Sequence, residues 1–428
     1  MIFVAYDVTR LFLGTISRTP RGIDRIDLIL ARHFFDLYPD RTVGILPTPW
    51  GVRVQDAVRV RRGLDRLERY WAEDITVTED LAFAWVRARL LGQPVGAAPF
   101  RSQMTLLHKA RRLLGLIRAA GFSFGQSAQR VLPKGAVYLN VGQISLALSF
   151  LYRWLDHRPD IWAAFMLHDV IPLEEPGLVA PSSVRFHEQI LKTTVRHAGG
   201  LIVSTRAAGD AVRAALAVRG RGAMPTLSAL LPLHRSFDSP AVADQALAGV
   251  SYFVVCGAIE PRKNLELLLQ VWERLVQHLG PATPHLVMVG TPNHEGDRIL
   301  AAFAGSSATR PFIHTVAGLS TSALKSLIVG ARALMMPSLA EGFGLPVLEA
   351  RALGCPVIAS DILAHREVTD TGVTFLPARD VGAWTDAVLA ARTGGPRPAP
   401  LPQAVLQADR DAFVARITVF LATRGAQV

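Results

Sequence analysis

The chain is short of cysteine and, over one long stretch, of acidic residues. Only two cysteines occur, Cys256 and Cys355, each beside an apolar run. Two such thiols exclude a disulfide-stapled scaffold and are expected to be buried, unpaired and in a reducing compartment. From Leu81 to Leu155 there is no Asp or Glu, while Arg and Lys recur throughout. A bilayer-spanning run is missing too: the longest apolar stretch, Val141 to Leu151, is closed by Arg153 and falls short of the roughly 20 residues a spanning helix needs. The N-terminus turns acidic at Asp7, too soon for a secretory leader. No internal repeat is present. These absences predict a cytoplasmic protein, at most peripheral on the inner face of the plasma membrane.

What is present is a long, apolar, basic chain. At 428 residues, 50% of them apolar, it has material for two or three domains with sizeable cores. A net charge of +11 and a pI near 10.3 point to an acidic partner: nucleic acid, anionic lipid or a phosphorylated ligand. Short apolar runs alternate with helical patterns, as a doubly wound α/β sheet requires. Strands are expected at Ile2 to Val8, Val43 to Leu46, Ala136 to Val141, Ile161 to Leu167 and Gly200 to Thr205, and Leu227 to Leu233 is expected to close the first domain. A second series is expected at Tyr252 to Cys256, His285 to Val289, Phe312 to Val316, Ala333 to Met336, Pro356 to Ala359 and Val373 to Phe375. Residues 235–250 read as a linker between two domains, 1–240 and 241–400. A breaker run rich in Pro and Gly then precedes a helix expected from Leu406 to Thr423.

The stretch Met336 to Ala350 carries the chemistry. A strand end gives way to a loop with Gly342 and Gly344, followed by a helix entered through Pro346. Proline suits a first helical position, where its missing N–H costs nothing. The glycines let backbone amides approach a ligand, and the helix N-terminus favours an anion. Glu341 before the turn and Glu349, placed in the first helical turn, would flank one crevice. In the second series, Arg262 and Lys263 sit where a strand meets a helix, which suits a diphosphate: Arg offers a planar fork and Lys a compact charge. His168 and Asp169 follow the strand ending at Leu167, at the strand end where open α/β sheets bind ligands. A lone His there is also a common structural residue, and no second His stands at a metal-ligand spacing.

Glu341-Gly-Phe-Gly-Leu-Pro-Val-Leu-Glu349, with Gly354-Cys-Pro-Val-Ile-Ala-Ser360 after it, resembles the paired-glutamate motif of the retaining group-one glycosyltransferases. The resemblance extends to Arg262-Lys263 and to His168-Asp-Val-Ile-Pro172, and covers most of the chain outside residues 50–135. It implies the GT-B architecture: two Rossmann-like domains facing across a cleft, with a C-terminal segment (401–428) crossing back to the first. It implies a nucleotide-diphosphate sugar as donor, with no essential metal or other cofactor. Arg262 and Lys263 would hold the diphosphate, Glu341 the donor hexose and Glu349 the nucleotide ribose. Gly342, Phe343, Gly344 and Leu345 would form the donor loop, Gly22 would lie near the phosphates, and His168 with Asp169 would orient hydroxyls. The His-Asp-x-Ile-Pro form leans toward GDP-mannose-type donors in bacterial polysaccharide assembly, with a glycan or polyprenyl-diphosphate-linked glycan as acceptor. Asp409-Arg-Asp411 spells the Asp-x-Asp of metal-dependent transferases, but its place near a helix start suggests capping.

Two other readings stay open: a sugar-nucleotide epimerase of the same architecture, or a non-catalytic basic protein that docks on membranes or nucleic acid. The acid-free stretch bears on the latter. From Met104 to Arg118, Leu106, Leu107, Leu113, Leu114 and Ile117 form an apolar side, with His108, Lys109, Arg111, Arg112 and Arg118 mostly off it. Such a helix either packs on the core with a basic face in water or lies on an anionic bilayer, where each cation adds about 1 kcal/mol. No nucleic-acid-binding motif accompanies the charge.

Overall fold

A computed structural model describes residues 2–16, 20–48, 51–73, 80–96, 105–121, 125–293 and 295–424. Two sheets form, one in each half of the chain. The first has the strand order β4-β3-β2-β1-β5-β6-β7-β8. Its strands are β1 Val4–Asp7, β2 Thr42–Thr48, β3 Gly51–Gln55, β4 Gln126–Ser127, β5 Val137–Asn140, β6 Trp162–Leu167, β7 Ala198–Val203 and β8 Thr226–Ser228. The second, wholly parallel, runs β11-β10-β9-β12-β13-β14. It comprises β9 Tyr252–Cys256, β10 His285–Val289, β11 Ile313–Val316, β12 Leu334–Met336, β13 Val357–Ser360 and β14 Val373–Leu376. Parallel strands covered on both faces read as unbroken apolar runs, and β6 and β9 are of that kind. Both cysteines are buried and free. Strand order reverses between β1 and β5 in the first sheet and between β9 and β12 in the second. A ligand crevice opens outside the strand ends at such a reversal.

Polar groups at the end of β1 are matched internally. Asp7 Oδ2 accepts from Tyr138 Oη at 2.6 Å, Asn140 Nδ2 at 2.8 Å and Ser145 Oγ at 2.9 Å. A buried carboxylate requires such donors.

The segment at about 50–135 departs from expectation. It supplies the antiparallel edge strands β3 and β4 and, among the described residues, the helices Ala57–Glu73, Leu81–Leu90, Leu106–Ala120 and the short Ala128–Val131. The Leu106–Ala120 helix starts after Thr105, whose Oγ1 accepts from the His108 amide at 3.2 Å, and stops at Gly121 with φ 64°. Its apolar side turns outward. Leu106 is 84% exposed, Leu107 80% and Leu114 53%. Leu116, Ala120 and Arg112 are buried instead. Close approach explains the inversion: a Cβ on Gly115 would stand 2.4 Å from Tyr70 Oη, so the slim side of the helix fits against the Ala57–Glu73 helix. Arg112 goes inward because Tyr70 satisfies it, through a 2.7 Å bond to the Tyr70 carbonyl and a guanidinium 4.5 Å from the ring centre.

The Leu81–Leu90 helix belongs to the first half of the chain but packs on the second sheet. Ala82, Val86 and Leu90 join the core that contains Tyr252, Val254 and Leu327. Asp80 caps this helix through Oδ1 and accepts from the Ser320 amide through Oδ2 at 2.6 Å.

The closing helix, Gln403–Thr423, begins after Pro402 with no side-chain cap. Asp409 and Asp411 are therefore interior, so capping does not explain them; Asp411 accepts from Gln407 Nε2 one turn earlier. Between them, Arg410 is buried on Asp238, at 2.8 and 2.7 Å. The helix crosses from one half to the other. Leu406 lies in the core of the second sheet, while Phe413, Ile417, Phe420 and Leu421 lie in that of the first. Among the described residues no helix is long and apolar enough to cross a membrane.

Phe420 is fully buried with its ring 5.5 Å from Trp162. Phe420→Ala is expected to cost about 3–5 kcal/mol of stability, read as a lower urea midpoint at unchanged m-value.

Candidate active site

The carboxyl end of β9 runs through Gly257 into a short 3-10 turn, Pro261–Lys263, and then the Leu265–Leu279 helix. Asn264 joins turn to helix at φ 54°, a left-handed conformation Asn tolerates. Its Nδ2 donates to the Pro337 carbonyl at 3.0 Å and the Ala378 carbonyl at 2.6 Å. The loop after the neighbouring strand, β12, is tied to this turn by the Leu339 amide on the Arg262 carbonyl at 2.8 Å. Two loops at the strand-order reversal are thus locked together, and their side chains converge. Arg262 Nη1 donates to Glu341 Oε2 at 2.8 Å, and its Nε is 2.7 Å from Glu260 Oε1. Lys263 Nζ donates to Glu341 Oε1, which also accepts from Ser338 Oγ at 2.7 Å.

Burial alone would raise the Glu341 pKa, but Lys263 and Arg262 overcome it and hold the carboxyl well below the usual carboxylate range. Burial likewise pulls Lys263 down, opposed by Glu341. The cluster is a compensated one. Two cations face Glu341 and Glu260, with every charged group held by a partner.

Gly342 brings the other half of the chain against this loop. A Cβ there would lie 2.6 Å from the His168 carbonyl and 3.0 Å from Asp169 Cβ. The Gly342 carbonyl accepts from Ser204 Oγ at 2.9 Å and Thr205 Oγ1 at 3.2 Å. Phe343 is buried in the core of the first sheet. Gly344 has φ 99°, and a Cβ there would meet the His365 ring at 2.9 Å. Leu345 closes on Gly22, whose Cβ would fall 2.5 Å from it. Gly342 and Gly22 thus serve close approach of the two halves, and Gly344 close approach within the second. His168 Nε2 bonds the Val141 carbonyl at 3.0 Å. A carbonyl only accepts, so this nitrogen carries the proton and Nδ1 is the acceptor. Burial pushes the His168 pKa down to about 4.

Glu349 requires a correction. The helix runs Leu345–Ala352 with no acidic residue in its first turn, because it starts before Pro346. Glu349 falls just past that turn, and its partner comes from the first half of the chain: Arg25 Nη1 donates to Oε1 at 2.9 Å. The two glutamates therefore answer to separate cations. Burial raises the Glu349 pKa against the pull of Arg25. Arg25 was not singled out from sequence, since nothing in its helix pattern distinguishes it. His365 was missed as well; it is fully buried beside Gly344, Nδ1 bonds the Ser360 carbonyl at 2.9 Å, and Nε2 has no partner among the described residues.

Two α/β domains that meet through strand-end loops define the GT-B architecture. Solved structures share it over their full length. A UDP-forming trehalose-phosphate synthase from Burkholderia vietnamiensis superposes with TM-score 0.55 at 13% identity, covering 100% of this chain and 98% of that one. Anabaena HepE in complex with UDP and glucose does so with TM-score 0.55 at 13% identity, covering 100% of both. Identities this low carry the fold alone.

Residues 251–393 match the family profile described as glycosyl transferases group 1; the chain carries a group 1 glycosyl transferase domain. O-antigen chain mannosyltransferase B of Escherichia coli is 32% identical over 151 residues, 35% of this chain and 39% of that protein. The serotype-specific mannosyltransferase WbdA of Escherichia coli is 26% identical over 220 residues, 48% of this chain and 27% of its own length. The matches thus span well under half the length of these relatives.

The His168 pKa has a stability signature. A group whose folded pKa is about 4 against 6.5 unfolded destabilises the fold as pH falls between those values, because the unfolded chain binds the extra proton. Urea midpoints measured from pH 6.5 to 4 should fall less steeply for His168→Gln than for wild type, the difference reaching at most about 3 kcal/mol.

Proposed function

We propose that the protein transfers a hexose, with retention of configuration, from a nucleoside-diphosphate sugar to a glycan or polyprenyl-diphosphate-linked glycan in cell-surface polysaccharide assembly. GDP-mannose is the favoured donor; the mannosyltransferase relatives and the His168-Asp169 segment support that choice. The observation carrying the reading is the convergence of Arg262, Lys263 and Glu341 at the carboxyl ends of β9 and β12, with His168 and Asp169 of the opposite domain against Gly342.

Transfer breaks the bond between the sugar C1 and the diphosphate and forms one to an acceptor oxygen. Negative charge gathers on the leaving diphosphate, and fixed positive charge beside it is the largest service a site can render. Arg262 and Lys263 supply it when the diphosphate takes over their bonds from Glu341. Released from them, Glu341 accepts from hydroxyls of the donor hexose. Glu349 holds the ribose, and the Gly342–Leu345 loop with Gly22 encloses the donor. Neutral His168 accepts a sugar hydroxyl at Nδ1, and Asp169 lies beside it. Attack on the face the diphosphate leaves gives retention, and a departing diphosphate oxygen takes the acceptor proton. Side chains handle all the charge, so no metal is required.

Arg262→Ala and Lys263→Ala should each lower kcat for mannosyl transfer by about 10²–10³, and wild-type turnover should persist in EDTA. Near-normal rates in both variants refute the assignment. An epimerase would instead convert the nucleotide sugar with no acceptor added.

The outward leucines of the Leu106–Ala120 helix favour a peripheral position on an anionic membrane surface. Leu107 and Leu114 share an exposed face with Arg111 and Arg118, which suits the headgroup boundary. Sedimentation with phosphatidylglycerol vesicles should weaken several-fold in a Leu107→Gln, Leu114→Gln double variant and with added salt, while phosphatidylcholine vesicles should bind little. Equal sedimentation of both proteins counts against membrane docking by this helix.

A further inference from the structure

Arg25 stands on the Gly22–Leu37 helix of the first domain and reaches into the second. Its Nη1 donates to Glu349 Oε1 at 2.9 Å, and its Nη2 is 3.5 Å from Thr321 Oγ1, at the start of the helix that follows β11. The guanidinium carbon is 5.6 Å from the centre of the Phe237 ring. The pair is nearly out of water, with side-chain exposures of 13% for Arg25 and 9% for Glu349.

This contact is necessary and poorly made at once. A carboxylate buried this deeply needs a donor, and among the described residues Arg25 is the donor it has. The guanidinium offers five N–H groups in a rigid fork. Here it makes one good bond and one at the limit of reach, while Nε is buried with no partner among the described residues. A partner so incompletely satisfied on its own side is readily exchanged. A ribose presents two neighbouring hydroxyls that both donate to a carboxylate, and the guanidinium stands where they would approach Oε1.

We infer that Arg25 is an internal stand-in for the donor's ribose. It holds Glu349 in the donor-free protein and is displaced when the nucleotide binds. Because the pair joins the two domains, filling the nucleotide seat also releases one link between them. Removing Arg25 therefore weakens the empty protein and strengthens its grip on nucleotide. The inference rests on the proposal that Glu349 is the ribose-binding carboxylate.

Calorimetric titration with GDP, and with 2′,3′-dideoxy-GDP, at mildly alkaline pH separates these claims. Wild type, Arg25→Ala and Glu349→Gln are compared, with Arg25→Gln in reserve should the alanine variant fold poorly. Arg25→Ala should melt below wild type without ligand yet bind GDP roughly 3- to 10-fold more tightly, the worth of one net hydrogen bond regained. The gain should be absent with the dideoxy probe. Unchanged or weaker GDP binding by Arg25→Ala, or an equal gain with both probes, overturns the stand-in. GDP binding that is indifferent to Glu349→Gln removes the ribose assignment itself. No binding of GDP to any of the proteins, with UDP run in parallel giving the same result, removes the donor reading and the stand-in with it.

Discussion

The constraint that shapes the cleft is the cost of a carboxylate out of water. Glu341 is buried where two strands end, and an unpaired charge in such a place costs several kcal/mol. Its partners must be present and fixed, so the loops after β9 and β12 are bound to one another through the Leu339 amide and the Asn264 side chain. In the transfer proposed above, the same rigidity would serve the leaving diphosphate. Cations already stripped of water and aimed at one point need little reorganisation when charge develops beside them. On that proposal, the stability of the buried cluster and its readiness for developing charge come from a single arrangement.

Contact between domains is built from the same loop. Gly342 touches the backbone of His168, Phe343 enters the first domain's core, and Leu345 lies on Gly22. Next to Thr205, Glu367 of the second domain accepts from the Arg206 and Ala207 amides at 2.7 and 2.8 Å, where a helix of the first domain begins. A negative charge at that end of a helix is favourable. The halves therefore meet around the site through ionic and backbone contacts as well as apolar ones, which leaves room for partner exchange in a way that a purely apolar seam would not.

How much of this could be read from the chain depended on the range of the interaction. The second domain was legible: β10 and the Leu265–Leu279 helix lie where apolar period and turn residues put them. So was the local chemistry of Arg262, Lys263 and Glu341, because strand-end loops announce themselves by glycine, proline and charge. Three things were not legible. Arg25 meets Glu349 across 324 residues, and an arginine on a helix carries no mark of such a destination. The Leu106–Ala120 helix shows two sides in its sequence, but periodicity does not say which one faces the core; Gly115 and Ala120 decided that by letting backbones approach. The placing of Glu349 just past the first turn followed from a helix that begins one residue before its proline.

Interleaving of the halves has a consequence for how such a chain is cut and combined. The Leu81–Leu90 helix, encoded early, roofs the later sheet, while the final helix supplies Phe413, Ile417, Phe420 and Leu421 to the earlier one. Each lobe thus carries apolar material that the other lobe's gene segment encodes. Severing the chain in the linker would leave each fragment with an apolar helix that has lost its groove and a groove that has lost its helix. The two lobes of this protein are not interchangeable cassettes, and a chimera that keeps its partners must exchange three stretches together.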